Sequence, residues 1–311
     1  MRAVKLSILF LLAIFIIALT ASKSWTQEGA SCGNLVILFT HDLHSYFLPH
    51  PVVESDGRVT TEGGFAKLAA AIQHERTRHG DKTLLVDAGD FAEGTLFHTV
   101  LPDKALEFRL MGKMGYDVTT LGNHDFDFYP EGLAKMLRTV KARGKPHPEI
   151  VASNIEFSKD GTGDAELKKA FCEFPVHEYI VVERGGIKIG ILGLMGKDAE
   201  EVAPYAKPVT FVNHVEASKR VVNILRKNEK ADMIICLSYS GTRPIKNISE
   251  DEILAEKVPD IDVIISGHTH TILPKTLIVG KTIIVSAGSY SSYLGVLQVS
   301  CSKEKGASVE S

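Results

Sequence analysis

Leu35-Val36-Ile37-Leu38-Phe39-Thr40-His41-Asp42-Leu43-His44 is the stretch on which the reading of the chain turns. It opens with five apolar residues in a row, rich in β-branched and aromatic types, and breaks abruptly into acid and imidazole. A run this short and unalternating predicts a strand covered on both faces. The pattern recurs at Thr83–Val86, Val118–Leu121, Ile150–Ala152, Tyr179–Val182, Ile187–Leu194, Met233–Leu237, Val263–Ile265 and Thr282–Val285. Helical periodicity lies between the runs, at Phe65 to Arg78, Lys104 to Met114, Glu131 to Arg143, Val215 to Asn228 and Glu250 to Glu256. Alternating buried strands and helices predict a layered α/β architecture.

Composition narrows the function. The 311 residues are 44% hydrophobic and 23% charged with a formal net charge of −3, which supports a packed core. That near balance of 35 basic against 38 acidic residues argues against a nucleic-acid binder. The four cysteines (Cys32, Cys172, Cys236, Cys301) show no C-x-x-C spacing, which excludes a zinc ribbon or thioredoxin motif. Cys236 sits inside an apolar run and is expected as a buried free thiol. No repeat, low-complexity tract or linker divides the chain, so one domain is expected over residues 33–300, followed by a polar, frayed tail at 301–311.

Residues 1–24 carry a targeting pattern. Arg2 and Lys5 precede an unbroken apolar run from Ile8 to Leu19, followed by small residues. The run suits a secretory signal peptide and is short for a membrane span; an uncleaved anchor is the alternative. Export to a periplasmic or extracellular location is expected, with membrane association only if this segment is retained, and export permits disulfides.

Five runs end in polar clusters. Asp42-Leu43-His44 follows the first, Asp87-Ala88-Gly89-Asp90 the second and Gly122-Asn123-His124-Asp125 the third. Ser238-Tyr239-Ser240-Gly241 and Gly267-His268-Thr269-His270 follow two later ones. Ligands of parallel α/β sheets collect beyond the carboxyl ends of strands, so these loops would gather carboxylates, an amide and imidazoles in one place. Hard oxygen and borderline nitrogen donors without a thiolate suit Zn²⁺, Mn²⁺ or Fe. One D-x-H or H-x-H pair is weak evidence, because the i,i+2 spacing merely allows both side chains to face one way. Five clusters in this order are strong.

Asp42-x-His44, Gly89-Asp90, Gly122-Asn123-His124-Asp125 and Gly267-His268-Thr269-His270 resemble the motifs of the calcineurin-like metallophosphoesterases. Gly122-Asn123-His124-Asp125-Phe126-Asp127 resembles the subgroup of exported 5′-nucleotidases and UDP-sugar hydrolases, over residues 34 to about 300. The resemblance implies a four-layer αββα sandwich of two mixed β-sheets flanked by helices, with two divalent metal ions. It places Asp42, His44, Asp90 and His270 on one ion, and Asp90, Asn123 and His268 on the other. His124, oriented by Asp127, would stabilise the phosphoryl group and protonate the leaving group, with Asn123 also contacting substrate. The implied reaction is in-line attack of a metal-bound hydroxide on a small phosphorylated substrate, such as a 5′-nucleotide or a nucleotide diphosphosugar.

Two departures stand out. The family's fourth motif resembles Ser-His-Ser-Gly, and here the histidine is Tyr239. A neutral phenol is a poor ligand for Zn²⁺ or Mn²⁺. A phenolate could serve ferric iron, a water could complete a weaker second site, or catalysis could be lost, leaving a metal-binding scaffold. The resemblance extends over the catalytic domain, and the C-terminal domain of the exported 5′-nucleotidases, which carries nucleoside-binding aromatics, is not expected within these residues.

The other polar residues have plainer readings. His50, His74, His79, His98, His147, His177 and His214 are expected to be solvated, and His41 to point away from the metals. Asp87 is expected to brace its loop, Asp125 to support the ligands from behind, and Asn154 to bond near the site or end a strand. Leu106, Leu110 and Met114 form an expected core stripe, and Ser249-Glu250-Asp251-Glu252 a capping box.

Overall fold

A computed structural model describes residues 31–174, 176–302 and 306–309, so the targeting segment lies outside the described residues. All nine apolar runs become strands of two mixed sheets. In the first sheet, β1 (Ser31–Thr40), β2 (Thr83–Asp87), β3 (Val118–Thr119), β4 (Glu149–Val151) and β5 (Val176–His177) lie side by side and parallel. The second contains β6 (Tyr179–Arg184), β7 (Ile187–Met195), β8 (Met233–Tyr239), β9 (Val263–Ser266), β10 (Leu277–Val279) and β11 (Thr282–Val285). Its order is β10-β11-β9-β8-β7-β6, with the four central strands parallel and both edges antiparallel. The chain then returns through β12 (Gly295–Ser302), which pairs antiparallel with β1.

The unbroken hydrophobicity of the runs has a direct cause in the layering. Successive side chains of a strand point to opposite faces, and both faces are covered. Leu35, Ile37 and Phe39 of β1 pack between the sheets with Val86, Ile189, Ile235, Ile265 and Ile283. Val36 and Leu38 face outward onto the helices α1 (Phe65–His79), α2 (Leu106–Met114), α3 (Tyr129–Arg143) and α4 (Ala165–Glu173). Leu192, Ile234 and Ile264 of the second sheet pack against α5 (His214–Lys227) and α6 (Glu250–Lys257). This is the expected four-layer αββα sandwich of mixed sheets. No described helix is long and apolar enough to cross a membrane.

Several local expectations are corrected. Residues 306–309 are not frayed tail but β13 (Gly306–Val309), pairing antiparallel with β12, and Cys301 beside them is disulfide-bonded. Polar sequence misled there because an edge strand needs only one covered face. In α2 the fully buried face is Glu107, Phe108, Met111 and Gly112, while Leu106, Leu110 and Met114 are half-buried. Leu110 and Met114 of the expected stripe still pack against the core, and the helix begins two residues later than read, after Ala105 turns left-handed. Ser249 does sit at the start of α6 but makes no capping bond, since its Oγ accepts from the Arg243 amide at 3.0 Å. His214 is buried rather than solvated. Cys236 is buried and free, as expected.

Candidate metal centre

The carboxyl ends of β1, β2 and β3 from one sheet meet those of β8, β9 and β11 from the other along one edge of the sandwich. Asp42, Asp90 and Asn123 therefore face Tyr239, His268 and His270 across the seam. The chain turns sharply to deliver them. Asp42, His44, Asp90, His268 and His270 all have left-handed φ, between 49° and 70°. That conformation costs an L-residue on the order of 1 kcal/mol, and residues held in it cluster at functional sites. The convergence of Asp42, His44 and His270 thus comes from left-handed turns and not from strand alternation.

Asp42, His44 and His270 bring three potential ligand atoms within 4.8 Å of one another. His44 Nε2 lies 3.0 Å from His270 Nε2, 3.6 Å from Asp42 Oδ1 and 3.7 Å from Asp90 Oδ2. His270 Nε2 is 3.4 Å from Asp42 Oδ1. Donors placed tetrahedrally about 2.1 Å from one cation stand about 3.4 Å apart, so this set fits an ion. The supporting bonds free the right atoms. His44 Nδ1 donates to the Ala92 carbonyl at 3.2 Å, leaving Nε2 as the inward lone pair. Asp42 Oδ2 accepts from His41 Nδ1 at 2.6 Å and the His268 amide at 2.9 Å, leaving Oδ1 inward. The Ala287 amide donates to His41 Nε2 at 2.8 Å, which fixes that tautomer and turns His41 away from the centre, as expected.

The electrostatics follow from burial. Burial pushes the Asp42 carboxyl up, but the neighbouring imidazoles of His270, His41 and His44 outweigh it and hold the group well below the ordinary range. Burial and the nearby Asp42 charge raise Asp90, against the opposing pull of His44, His124 and the Tyr239 hydroxyl. Burial opposes charge on His44, yet the nearby carboxylates of Asp42 and Asp90 raise its pKa. At His124 burial also opposes the proton, but the bond to Asp127 and the charges of Asp90, Asp127 and Glu93 bring it to about 9. His124 Nδ1 is 2.9 Å from Asp127 Oδ2, and its ring lies 5.6 Å from that of His44.

Asn123, Tyr239 and His268 form a second group. Tyr239 is almost wholly buried, and its hydroxyl donates to Asp90 Oδ2 while lying 3.0 Å from Asn123 Oδ1 and 3.3 Å from Asp42 Oδ1. Burial and the charges of Asp90 and Asp42 push the phenol well above its usual value. His268 packs its ring 5.1 Å from that of Tyr239 and pairs Nε2 with Asp198 at 3.0 Å; Asp198 also holds Arg243.

The bracing residues lie behind the ligands. Asp87 accepts from Thr40, Thr119 and the Gly89 amide, while Asp125 accepts from the amides of Ala92 and Gly122. Asn154 ties Met195 to Val212 and makes no contact with the cluster residues. Sequence reasoning missed Asp198, Arg243, Glu93 and Tyr290. Tyr290 stands 5.0 Å from the His270 ring and 5.5 Å from that of His44, and its amide bonds the Asp42 carbonyl at 2.8 Å. The same strand-end signal could have found it, because Ser286 to Tyr290 directly follow the run Thr282–Val285.

Comparison with known proteins agrees with this geometry. The profile of the family described as calcineurin-like phosphoesterase matches residues 35–271. The chain is 33% identical to the trifunctional nucleotide phosphoesterase protein YfkN of Bacillus subtilis, over 70% of this chain and 16% of that one. It is 31% identical to the 5′-nucleotidase of Rattus norvegicus, over 89% of this chain and 47% of the relative. It thus spans under half the length of either. The structure of Haemophilus influenzae NAD nucleotidase superposes with a TM-score of 0.72 at 27% identity, covering 89% of this chain and 55% of that one. With the profile spanning most of its length, the chain belongs to the calcineurin-like phosphoesterase family.

Proposed function

We propose that the chain is an exported, metal-dependent phosphoesterase acting on nucleotide phosphoesters, with 5′-nucleotides and nucleotide diphosphosugars as its substrate class. The observation that carries this reading is the convergence of Asp42, His44, Asp90 and His270 beside a His124 held by Asp127. Names of the relatives point to the nucleotide class, and the basic and apolar N-terminal pattern supports export to the periplasm or cell exterior.

Asp42 Oδ1, His44 Nε2, Asp90 Oδ2 and His270 Nε2 are the atoms that would hold a divalent cation, with Mn, Zn and Fe all matching the donor set. Such an ion, when bound, neutralises phosphoryl charge and acidifies water. His124 presents Nε2 to the phosphoryl oxygens, and Asp127 keeps the imidazole protonated so that it can donate to the departing oxygen. Asn123 turns Oδ1 toward Tyr239, which leaves its amide hydrogens for a substrate oxygen. The rival reading, a metal-binding scaffold without catalysis, is favoured by the tyrosine among the ligands.

The test is hydrolysis of AMP, UDP-glucose and bis-p-nitrophenyl phosphate by the mature protein in Mn²⁺. Turnover is expected that EDTA abolishes and Mn²⁺ restores, and that His124→Ala removes. Chelator-resistant turnover, or full activity in His124→Ala, overturns the assignment. Absence of turnover on every substrate by a folded, metal-loaded protein establishes the scaffold.

A further inference from the structure

The donor set fits one cation well and a second badly. A second ion beside the first would need Asp90, Asn123 and His268, the remaining atoms that the family resemblance assigns to it. Those atoms are already spoken for. The Tyr239 hydroxyl donates to Asp90 Oδ2, the same oxygen that faces His44 Nε2. It also stands 3.0 Å from Asn123 Oδ1 and 3.3 Å from Asp42 Oδ1. Asp90 Oδ2 has two lone pairs: one is left for the ion beside His44 and the other takes the hydroxyl proton, so none remains for a second cation, which would need to approach it to about 2.0–2.2 Å. The phenol cannot easily swing aside. Its ring is 1% exposed, closed in by Gly89 and Gly267 and packed against His268, and a Cβ added at either glycine would stand 3.0 or 3.2 Å from its Cδ2.

We infer that this chain holds a single divalent ion, and that the Tyr239 hydroxyl stands in for the second by donating its one proton to Asp90 Oδ2, with its oxygen filling the space between Asn123 and Asp42. Asp90 then bridges an ion and a phenol instead of two ions. The inference rests on reading Asp42, His44 and His270 as a metal centre. It deepens that reading, because the charge carried to a phosphoryl group comes from one cation and His124.

Metal content measured on the purified mature protein tests it without recourse to activity. After exhaustive dialysis in Mn²⁺, elemental analysis should give about one ion per chain, and about two in Tyr239→His, where an imidazole replaces the phenol. Electron paramagnetic resonance should show an isolated Mn²⁺ ion in the native protein and spin-coupled ions in the variant. Two tightly held, coupled ions in the native protein overturn the inference and leave the phosphoesterase reading intact. A native protein that is folded by circular dichroism yet holds no ion removes the metal centre itself, and the proposed function with it. One ion in both proteins shows that Tyr239 is not what excludes the second, and overturns its assigned role.

Discussion

Asp87→Asn should change how the stability of this protein depends on pH. Asp87 is wholly buried at the end of β2, where burial raises its pKa from 3.8 to about 7 against the hydrogen bonds of Thr40, Gly89 and Thr119. Below pH 3.8 the carboxyl is protonated in both folded and unfolded chains. Between 3.8 and about 7 the folded state binds the proton and the unfolded state does not, so stability falls as pH rises through that window. At about 1.4 kcal/mol per unit, the span from 3.8 to about 7 corresponds to about 4 kcal/mol, fully lost above pH 7. Asparagine removes the titration and can be accommodated. Its oxygen can still accept from Thr119 and Gly89, and its amide can donate to Thr40 Oγ1, whose own proton is free to turn to Tyr116 Oη at 2.8 Å. Urea unfolding of both proteins from pH 4 to pH 8 measures the difference. The gap should move in favour of the variant by several kcal/mol across the range, steadily from pH 4 to about 7 and no further above it. Parallel stability curves for the two proteins would refute the reasoning, because burial could not then be holding a proton on Asp87.

Other outcomes are equally concrete. Asp127→Asn removes the charge and weakens the bond that lift His124 to about 9, so the alkaline limb of kcat/KM should move to lower pH, with a rate loss on the order of 10²-fold; an unchanged limb assigns that ionisation elsewhere. Gly122→Ala places a Cβ 2.0 Å from Asp90 Oδ1 and should weaken Mn²⁺ binding by calorimetry roughly 10- to 100-fold while circular dichroism stays native. In the native protein a thiol reagent should modify exposed Cys172 and leave Cys236 untouched until denaturant is added, since burial also pushes the Cys236 thiol up; rapid modification of both would contradict the packing around β8.

The layers and most of the cluster were legible because they depend on local pattern. Runs such as Met233–Leu237 are apolar on both faces only if both faces are covered, and Asp42, Asp90 and His270 stand directly after such runs. The Tyr239 substitution was visible too, as a ligand of the wrong chemistry. What could not be read was where its oxygen goes, since that is set by packing between two sheets. Asp198 and Arg243 follow β7 and β8 as closely as Asp90 and His270 follow their strands, and escaped because they fall in none of the motifs quoted and reach His268 only through the tertiary fold. The buried His214 and the edge strand β13 were missed for a related reason: a side chain's surroundings at a helix start, or a strand's single covered face, leave little trace in one-dimensional periodicity.

The seam that carries the site has a consequence for how the molecule is made. His44 and His270, whose Nε2 atoms lie 3.0 Å apart, are separated by 226 residues of chain. A nascent polypeptide that has emerged only as far as β7 owns Asp42, Asp90 and Asn123 but none of the histidines that face them. Contacts of such long range form late, after the loop-closure entropy has been met. Capture of the ion is therefore a report that both halves have docked in register. Where the proposed export precedes folding, loading takes place at the destination, from the metals of that compartment and not from those of the cytoplasm.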